Sequence, residues 1–275
     1  MGKFDGTLIC TDLDGTLLRK DKTVSAENRE AIEYFKREGG YFTFITGRMP
    51  YFAVDMYKSA RPNAPIGCIN GGGIYDFEKE KYVMTVELDK RFVELVAHID
   101  RLFPNVGHQI NTFDKVYFSK ENSIMERFRR VTGAPNYQRA YTDFDNEPVG
   151  KVIFGIETEE ELLGVKQALA EHRLADQFDF IRSERTLYEI LPKGVGKGLA
   201  IKGLVDYLGI DPERTIAVGD YNNDISMFQA AKVGIAVANA CPDAIAAADF
   251  VTVSNEEHAI AAIISDLDQG RLLDR

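Results

Sequence analysis

The stretch TDLDGT, residues 11–16, places two aspartates two positions apart where an apolar strand pattern meets a glycine. Residues 7–11 predict a short buried strand, and Gly15 allows the chain to turn sharply out of it. Asp12 and Asp14 are therefore expected where the strand becomes a loop. Because neighbouring carboxylates repel each other, a chain that keeps both ionised needs a nearby cation or a raised pKa. A solvated turn is the alternative interpretation, since aspartate and glycine are common in turns.

The composition is typical of a soluble globular protein. The chain has 275 residues, of which 45% are hydrophobic and 28% charged, and this length favours about two domains. Its 43 acidic and 33 basic residues give a formal net charge of -10, which disfavours nucleic acid as a partner. No apolar run approaches the roughly 18 residues of a membrane span, so we expect no membrane association.

Cysteine usage and the N-terminus point to the cytoplasm. Cys10, Cys68 and Cys241 lie far apart and form no CxxC pair. This pattern argues against a secreted disulfide framework and favours a reducing compartment. The first apolar stretch is too short for a signal peptide, and Gly6 stands where a myristoylation signal has Ser or Thr. We therefore expect a cytoplasmic protein.

Strands and helices alternate near both ends of the chain. Ser25 is a candidate cap for a helix after the first strand, and residues 199–208 carry the apolar spacing of another helix. This rhythm predicts a parallel α/β sheet. The apolar strand segments lie at residues 7–11, 41–46, 66–69, 215–218, 233–237 and 250–253.

The middle of the chain has a different pattern. Its strand segments alternate or are flanked by charge, as in KVYFS, KVIFGIE, FDFIRS and TLYEIL, with helical segments near 89–102, 120–131 and 159–172. This mixture is typical of an α+β unit with an open antiparallel sheet. We predict a discontinuous core domain, residues 1–83 and 191–275, with a second domain, residues 84–190, inserted into it.

Polar residues follow the strands of the predicted core. In an open parallel sheet, ligands bind outside the carboxyl ends of the strands. Clusters at several strand ends are therefore expected to converge on one edge and form a site. The clusters are Asp12 with Asp14, Thr46 to Arg48, Asn70 to Gly73, and Gly219 to Asp224.

Together these motifs resemble the haloacid dehalogenase superfamily of phosphohydrolases. The resemblance rests on TDLDGTLL, the strand ending in Thr46-Gly47-Arg48, Lys197, and GDYNND at 219–224, in this order over nearly the whole chain. The large insertion, NGG at 70–72 and VANACP at 237–242 are similar to the Cof-type subfamily with a type IIB cap. The resemblance implies a Rossmann-like parallel-sheet core with an inserted α+β cap domain.

The resemblance also implies a reaction and a substrate class. The expected enzyme is a Mg²⁺-dependent phosphatase acting on small phosphorylated metabolites, which include sugar phosphates, a flavin precursor phosphate and pyridoxal phosphate. Asp12 would be the nucleophile that forms an aspartyl-phosphate, and Asp14 the general acid and base. Lys197 would offset the charge of the transferring group.

Further polar residues receive binding roles from the same resemblance. Mg²⁺ favours an octahedron of oxygen ligands, so the paired aspartates of the opening stretch would be kept together by this ion. Asp14 would contribute its backbone carbonyl, and Asp224 would act as a ligand or hold a metal-bound water. The phosphate-binding residues implied are Thr46, Gly47, Lys197 and Asn223, and the metal-binding residues are Asp12, Asp14, Asp220 and Asp224.

Several alternatives remain open for individual residues. The GDYNND stretch could cap a helix, since Asp and Asn favour that position. Arg48 could pair with a carboxylate, contact the substrate or be solvated, and Lys193 is the weaker candidate for the role of Lys197. The histidines share no metal-ligand spacing and are interpreted as structural or solvated; they are His98, His108, His172 and His258.

Other function classes are weighed against hydrolysis. A receiver-type signalling module is one small domain, so the chain length argues against it. A non-catalytic phospho-ligand binder would have no need of Asp12 and Asp14, which are both present. A phosphomutase differs only in the acceptor of the phosphoryl group and stays open. The expected partner is a small phosphorylated metabolite bound by a monomer or small homo-oligomer.

Substrate choice is expected to depend on the inserted domain. Chain crossings near Met84 and Ile190 would act as hinges that let this domain close as a lid and exclude water. The sequence does not choose among the candidate substrate-contacting residues of this domain. They are Asn111, Tyr117, Arg182 and Tyr188.

Overall fold

The computed structural model describes residues 2–273, which divide into two compact units. One unit comprises Met1–Met84 and Gly196–Arg275, and we call it the core unit. The other comprises Thr85–Val195, and we call it the inserted unit. Within residues 2–273, no helix is both long and apolar enough to cross a membrane.

The first part of the core unit alternates strands and helices. Ser25 caps the first helix, because its side chain accepts a hydrogen bond from the backbone N–H of Asn28. The second strand ends at Phe44, two residues earlier than the predicted segment 41–46. Ile45, the next residue, makes a single β-bridge to Gly67. The elements are β1 (Leu8–Thr11), α1 (Ala26–Arg37), β2 (Tyr41–Phe44), α2 (Val54–Ala60), β3 (Ile66–Cys68), β4 (Gly73–Asp76) and β5 (Lys81–Thr85).

The inserted unit contains helices and one six-stranded sheet. Its second helix starts at Ser123, later than the sequence pattern indicates, because Asn122 caps it and accepts from the N–H of Met125. The elements are α3 (Phe92–Leu102), β6 (Gly107–Thr112), β7 (Val116–Lys120), α4 (Ser123–Thr132), β8 (Tyr137–Gln138), β9 (Val149–Gly155), α5 (Glu159–Ala170), β10 (Phe178–Glu184) and β11 (Leu187–Pro192).

The sheet of the inserted unit has the strand order β10-β11-β9-β6-β7-β8. Its neighbours pair antiparallel, except that the two-residue β8 runs parallel to β7, which the sequence pattern did not indicate. An apolar core forms where Phe92 and Leu95 of α3 and Leu162 of α5 pack with Val152 and Phe154 of β9. The inserted unit therefore has a hydrophobic core of its own.

The second part of the core unit completes its main sheet. Its elements are α6 (Lys197–Leu208), β12 (Thr215–Gly219), α7 (Ile225–Ala230), β13 (Val233–Ala236), α8 (Pro242–Ala247), β14 (Phe250–Val251) and α9 (Ala259–Asp268). The five strands lie in the order β14-β13-β12-β1-β2, and every neighbouring pair is parallel. The prediction of a parallel α/β core is confirmed, but β3, predicted as one of its strands, lies in a separate three-stranded sheet with β4 and β5 and pairs antiparallel with β4.

The strands β1 and β12 lie in the middle of this sheet. Leu8 pairs with Thr215 in a register that continues to Thr11 and Val218. Both strands are buried throughout, which explains their unbroken apolar runs. Because the strands are parallel, the loops that follow β1, β2 and β12 all leave the same edge of the sheet.

Candidate active site

Lys197, the first residue of α6, joins two carboxylates from other parts of the chain. Its Nζ donates to Asp12 Oδ1 at 2.5 Å and to Asp224 Oδ1 at 2.6 Å. Lys197 is 1% exposed and Asp224 0% exposed. Burial alone would lower the pKa of Lys197, but Asp12 and Asp224 outweigh it and raise the pKa above its ordinary value. The ammonium is thus held in its charged form, as a buried charge requires.

Asp224 also shapes the loop after β12. Its Oδ2 accepts hydrogen bonds from the backbone N–H groups of Asp220 and Tyr221, at 2.9 and 3.0 Å. Position 219 must be glycine, because a Cβ on this residue would lie only 2.4 Å from the Cβ of Asp224. The short turn at Asn222–Asp224 carries a capping arrangement that includes Asp224. Asp224 therefore caps this turn and pairs with Lys197 at the same time.

Asp12, Asp220 and Asp224 form an acidic cluster that fits a metal ion. Each contributes a carboxylate oxygen, and these oxygens lie within 4.8 Å of one another. Burial raises the pKa of Asp12 well above its ordinary value, and burial followed by the Asp224 charge raises the pKa of Asp220 to about 6. Lys197 pairs with Asp12 and Asp224, whereas Asp220 accepts a hydrogen bond from the neutral hydroxyl of Thr16. An all-oxygen donor set with surplus negative charge is the kind that Mg²⁺ binds.

Asp14 faces cations and not the acidic cluster. Arg48 donates from Nε to Oδ2 at 3.1 Å, and from Nη2 to Oδ2 and Oδ1 at 2.7 and 3.0 Å. Lys22 Nζ donates to Oδ1 at 2.7 Å. Burial alone would raise the pKa of Asp14, but Arg48 and then Lys22 outweigh it and hold the pKa below its ordinary value. Of the alternatives for Arg48, the structure shows the pairing with a carboxylate.

The proposed phosphate-binding residues of the loops after β2 and β12 lie around Asn70. A Cβ on Gly47 would lie 2.9 Å from Asn70 Oδ1, and Asn223 Nδ2 lies 3.5 Å from the same oxygen. Thr46 Oγ1 accepts from the backbone N–H of Arg48 at 3.2 Å. Asn70 is fully buried and has a φ of 52°. It therefore lies at the site, as expected for the cluster Asn70 to Gly73, although the sequence analysis assigned it no phosphate-binding or metal-binding role.

Two glycines allow the loops of the site to approach each other. Gly15 has a φ of 87°, and a Cβ there would lie 2.5 Å from Asp220 Oδ2. Gly71 has a φ of 91°, and a Cβ there would lie 2.0 Å from the carbonyl oxygen of Gly196, the residue before Lys197. Only glycine meets both requirements without strain.

Further side chains that hold the site were missed in the sequence. Thr16 Oγ1 donates to Asp220 Oδ1 at 2.8 Å. Asn239 Nδ2 donates to the carbonyl of Gly15 at 2.8 Å and so ties the loop after β13 to the loop after β1. Both residues lie inside quoted motifs, TDLDGT and VANACP, and this was the only signal that they offered.

Other candidates are engaged elsewhere. Lys193 belongs to the inserted unit, where its Nζ donates to Asp179 at 2.9 Å, and it is not the lysine of the acidic cluster. His108 is buried on β6 of the inserted unit, and burial lowers its pKa to about 4. Tyr188 packs into the apolar core of the inserted unit. Arg182 pairs with Glu159 on the same unit.

A parallel sheet whose strand ends gather a buried lysine and several carboxylates offers a place where a phosphoryl group and a metal ion could be bound. The sequence model of the family described as haloacid dehalogenase-like hydrolase matches residues 9–264. The chain belongs to this family. The predictions of a haloacid dehalogenase fold and of a phosphatase are confirmed.

Individual relatives agree with this assignment. The chain is 31% identical over 288 residues to the 5-amino-6-(5-phospho-D-ribitylamino)uracil phosphatase YwtE of Bacillus subtilis (strain 168), covering 96% of this chain and 98% of that protein. A haloacid dehalogenase-like hydrolase from Bacteroides thetaiotaomicron superposes with a TM-score of 0.81 at 26% identity, covering 95% of this chain and 99% of that chain. The subclass IIB sugar phosphatase BT4131 has a TM-score of 0.82 at 22% identity, over 94% and 98% of the two chains, and shows the same fold.

Proposed function

We propose that the protein is a Mg²⁺-dependent phosphatase that hydrolyses small phosphorylated metabolites through an aspartyl-phosphate on Asp12. The observation that carries this proposal is the buried contact between Lys197 Nζ and Asp12 Oδ1 at 2.5 Å. A carboxylate at the end of a central strand, held by a buried ammonium, is oriented for attack and protected from solvent. The same ammonium offsets charge on a phosphoryl group that reaches Asp12.

In the first step, an oxygen of Asp12 attacks phosphorus. Lys197 occupies Oδ1, so Oδ2 is the oxygen that forms the new bond. The bond from phosphorus to the leaving oxygen breaks, and Asp14 gives its proton to that oxygen. In the second step, a water oxygen attacks phosphorus while Asp14 takes a proton from the water. The Asp12 oxygen leaves, and inorganic phosphate and free enzyme result.

The remaining site residues bind and neutralise the phosphate. Lys197, Thr46, the Gly47 amide and Asn223 would hydrogen-bond its oxygens. Mg²⁺, when held by Asp12, the Asp14 carbonyl, Asp220 and Asp224, supplies positive charge to the phosphoryl group. The fit of this ion rests on the mutual approach of the three carboxylates within 4.8 Å.

We assign substrate choice to the inserted domain, predicted as residues 84–190 and found as Thr85–Val195, which would close over the core as a lid. The support is that this unit has its own apolar core and joins the core unit through chain segments at each end. The similarity to a protein named for a phosphoribitylamino compound favours small sugar-like phosphoesters as substrates. We further propose that the enzyme acts in the cytoplasm as a monomer or small homo-oligomer, without nucleic-acid or membrane partners.

A substrate screen tests the proposed function directly. The purified protein is incubated with Mg²⁺ and a panel of sugar phosphates, ribityl phosphates, flavin mononucleotide and pyridoxal phosphate, and released inorganic phosphate is measured. We expect turnover of at least one ester that stops with EDTA and returns with Mg²⁺. Transfer of the phosphoryl group to a second hydroxyl of the substrate, with no phosphate released, would instead identify a phosphomutase.

A further inference from the structure

The chain turns with a left-handed backbone at three consecutive residues after β3. They are Ile69, Asn70 and Gly71, with φ values of 53°, 52° and 91°, and we call them the left-handed turn. Glycine adopts such values readily and asparagine tolerates them, but for a β-branched residue such as Ile69 they are a true outlier. Strain of this kind persists only where the surrounding structure enforces it, and it clusters at functional sites. The left-handed turn therefore points to a function for the residue at its centre, Asn70.

Backbone hydrogen bonds fix the left-handed turn to the loop after β2. The N–H of Ile69 donates to the Arg48 carbonyl, and the N–H of Asn70 donates to the Thr46 carbonyl, both at 3.1 Å. Ile69 and Asn70 are both fully buried. The turn is thus held against the loop that carries two of the proposed phosphate-binding residues.

The carboxamide of Asn70 lies between two proposed phosphate-binding residues. Its Oδ1, Cγ and Nδ2 all lie within 3.4 Å of the position that a Cβ on Gly47 would occupy, so the carboxamide packs directly against the Gly47 backbone. Its Oδ1 also accepts from Asn223 Nδ2 at 3.5 Å. One side chain therefore joins the loop after β2 to the loop after β12.

The contact with Asn70 orients the amide of Asn223 and leaves it able to bind an anion. Nδ2 of Asn223 carries two protons, and the bond to Asn70 uses one of them. The second proton is then directed by a group that is itself buried and fixed. Because the amide is already ordered, less side-chain freedom is lost when it binds a phosphate oxygen.

We propose that Asn70 is a positioning residue that holds Gly47 and Asn223 in the arrangement that binds the phosphoryl group. This inference rests on the phosphate-binding roles of these two residues in the proposed function. Asn70 acts through Gly47 and Asn223 and does not itself contact the substrate. Because it serves the phosphoryl group and not the leaving group, its effect is the same for different phosphoesters.

Asn70→Gly tests this role, because it removes the carboxamide and keeps the left-handed backbone accessible. We expect kcat/KM to fall about 10- to 100-fold, by the same factor for β-glycerophosphate and p-nitrophenyl phosphate. The Ki of orthovanadate, an analogue of the phosphoryl group in the transition state, should rise by a similar factor. In the Asn223→Ala background, Asn70→Gly should have a smaller effect, because one of its two contacts is already lost.

Asn63 provides a matched control. Its side chain also joins backbone segments of the core unit, since Oδ1 accepts from the N–H of Phe42 at 2.8 Å and Nδ2 donates to the Gly40 carbonyl at 3.0 Å. These bonds hold the start of β2 and not the loop that follows its end. Asn63→Gly should therefore lower Tm, while kcat/KM and the Ki of orthovanadate stay at the parent values.

The outcomes separate the positioning role from a structural one. Circular dichroism checks that each variant folds, and Asn70→Ser is the second variant if Asn70→Gly does not. Parent values of kcat/KM and of the orthovanadate Ki in a folded Asn70 variant overturn the inference, and so does a loss confined to one ester or shared equally by Asn63→Gly. In each of these cases the proposed function stands if the parent releases phosphate. A parent that releases none from either ester with Mg²⁺ present overturns both.

Discussion

Lys197 Nζ and Asp12 Oδ1 lie 2.5 Å apart, although 185 residues separate them in the chain. Lys197→Met would leave Asp12 and Asp224 buried without their shared cation. We expect kcat to fall by on the order of 100-fold or more, and the free energy of unfolding to fall by about 3–5 kcal/mol. Steady-state kinetics and urea unfolding measure the two effects.

Lys193 provides the control for this variant. Its pair with Asp179 is exposed at the lysine, so Lys193→Met should change the free energy of unfolding by less than about 1 kcal/mol. Equal losses of stability in the two variants would contradict the account of Lys197 as a buried shared cation.

The role of Asp12 as nucleophile predicts the outcome of Asp12→Asn. The amide is nearly the same size as the carboxylate but is a poor nucleophile, so turnover should be abolished while the fold is retained. Circular dichroism checks the fold, and mass spectrometry of the parent after rapid acid quench should detect a phosphorylated Asp12. Normal turnover by this variant would exclude the aspartyl-phosphate route.

Asp14→Asn should discriminate between leaving groups. Without the acid, an alkyl phosphate loses its source of a proton, and we expect kcat to fall by roughly 100-fold or more. For p-nitrophenyl phosphate, whose leaving group departs unprotonated, the loss should be clearly smaller. The ratio of the two kcat values is the measurement, and an unchanged ratio would argue that Asp14 acts only through the metal.

The acidic cluster predicts a pH-dependent response to Mg²⁺. Burial, and then Asp224, raises the pKa of Asp220 from 3.8 to about 6 in the folded protein. Between these values the native state binds more protons than the unfolded state, so metal-free stability should fall as pH rises through this window. Mg²⁺ binds the ionised carboxylates, so its stabilisation should develop as pH rises through about 6.

Thermal unfolding with and without Mg²⁺ checks this response. The ion should raise Tm at about pH 7.5, where at 100 times its Kd it contributes about 2.7 kcal/mol. At about pH 5 the shift should be much smaller, and Asp220→Ala should remove it at both values. If Mg²⁺ raised the Tm of Asp220→Ala as much as that of the parent protein, the ion would have to bind outside the acidic cluster.

Gly71→Ala should disturb both stability and catalysis. The backbone at Gly71 has a φ of 91°, and the new Cβ would lie 2.0 Å from the Gly196 carbonyl oxygen. Backbone strain alone should lower the free energy of unfolding by about 1–3 kcal/mol. Movement of Gly196 would also displace Lys197 and lower kcat. Gly209→Ala is the control, since its φ is 67° but nothing lies within 4 Å, so it should cost about 1 kcal/mol with no change in kcat.

The sheet was predictable because its signals are local. Each core strand is a short apolar run bounded by polar residues, and parallel strands impose a common edge for whatever follows them. The side chains of Asp12, Lys197, Asp220 and Asp224 meet at that edge. Their catalytic and metal-binding roles remain predictions.

Contacts that depend on loop conformation were not predictable. Lys22 reaches Asp14 only because its turn places the backbone at a φ of 64°, and Asn239 reaches Gly15 across a sequence distance of 224 residues. The parallel pairing of β7 with β8 likewise depends on a two-residue strand too short to show a periodic pattern. Neither residue spacing nor hydrophobicity in the sequence indicates which loop residues contact each other or how so short a strand pairs.

The pairing of β1 with β12 sets the order of events during synthesis. Leu8 leaves the ribosome early, but its partner Thr215 follows only after the whole inserted unit has been translated. The inserted unit, with its own apolar core, is thus free to fold first, while β1 waits with one edge unpaired. The acidic cluster, which unites Asp12 with Asp220 and Asp224, can assemble only after the whole inserted unit has been translated. A nascent chain therefore lacks this cluster until Asp224 has been translated, and termination before β12 would leave β1 with an unpaired edge.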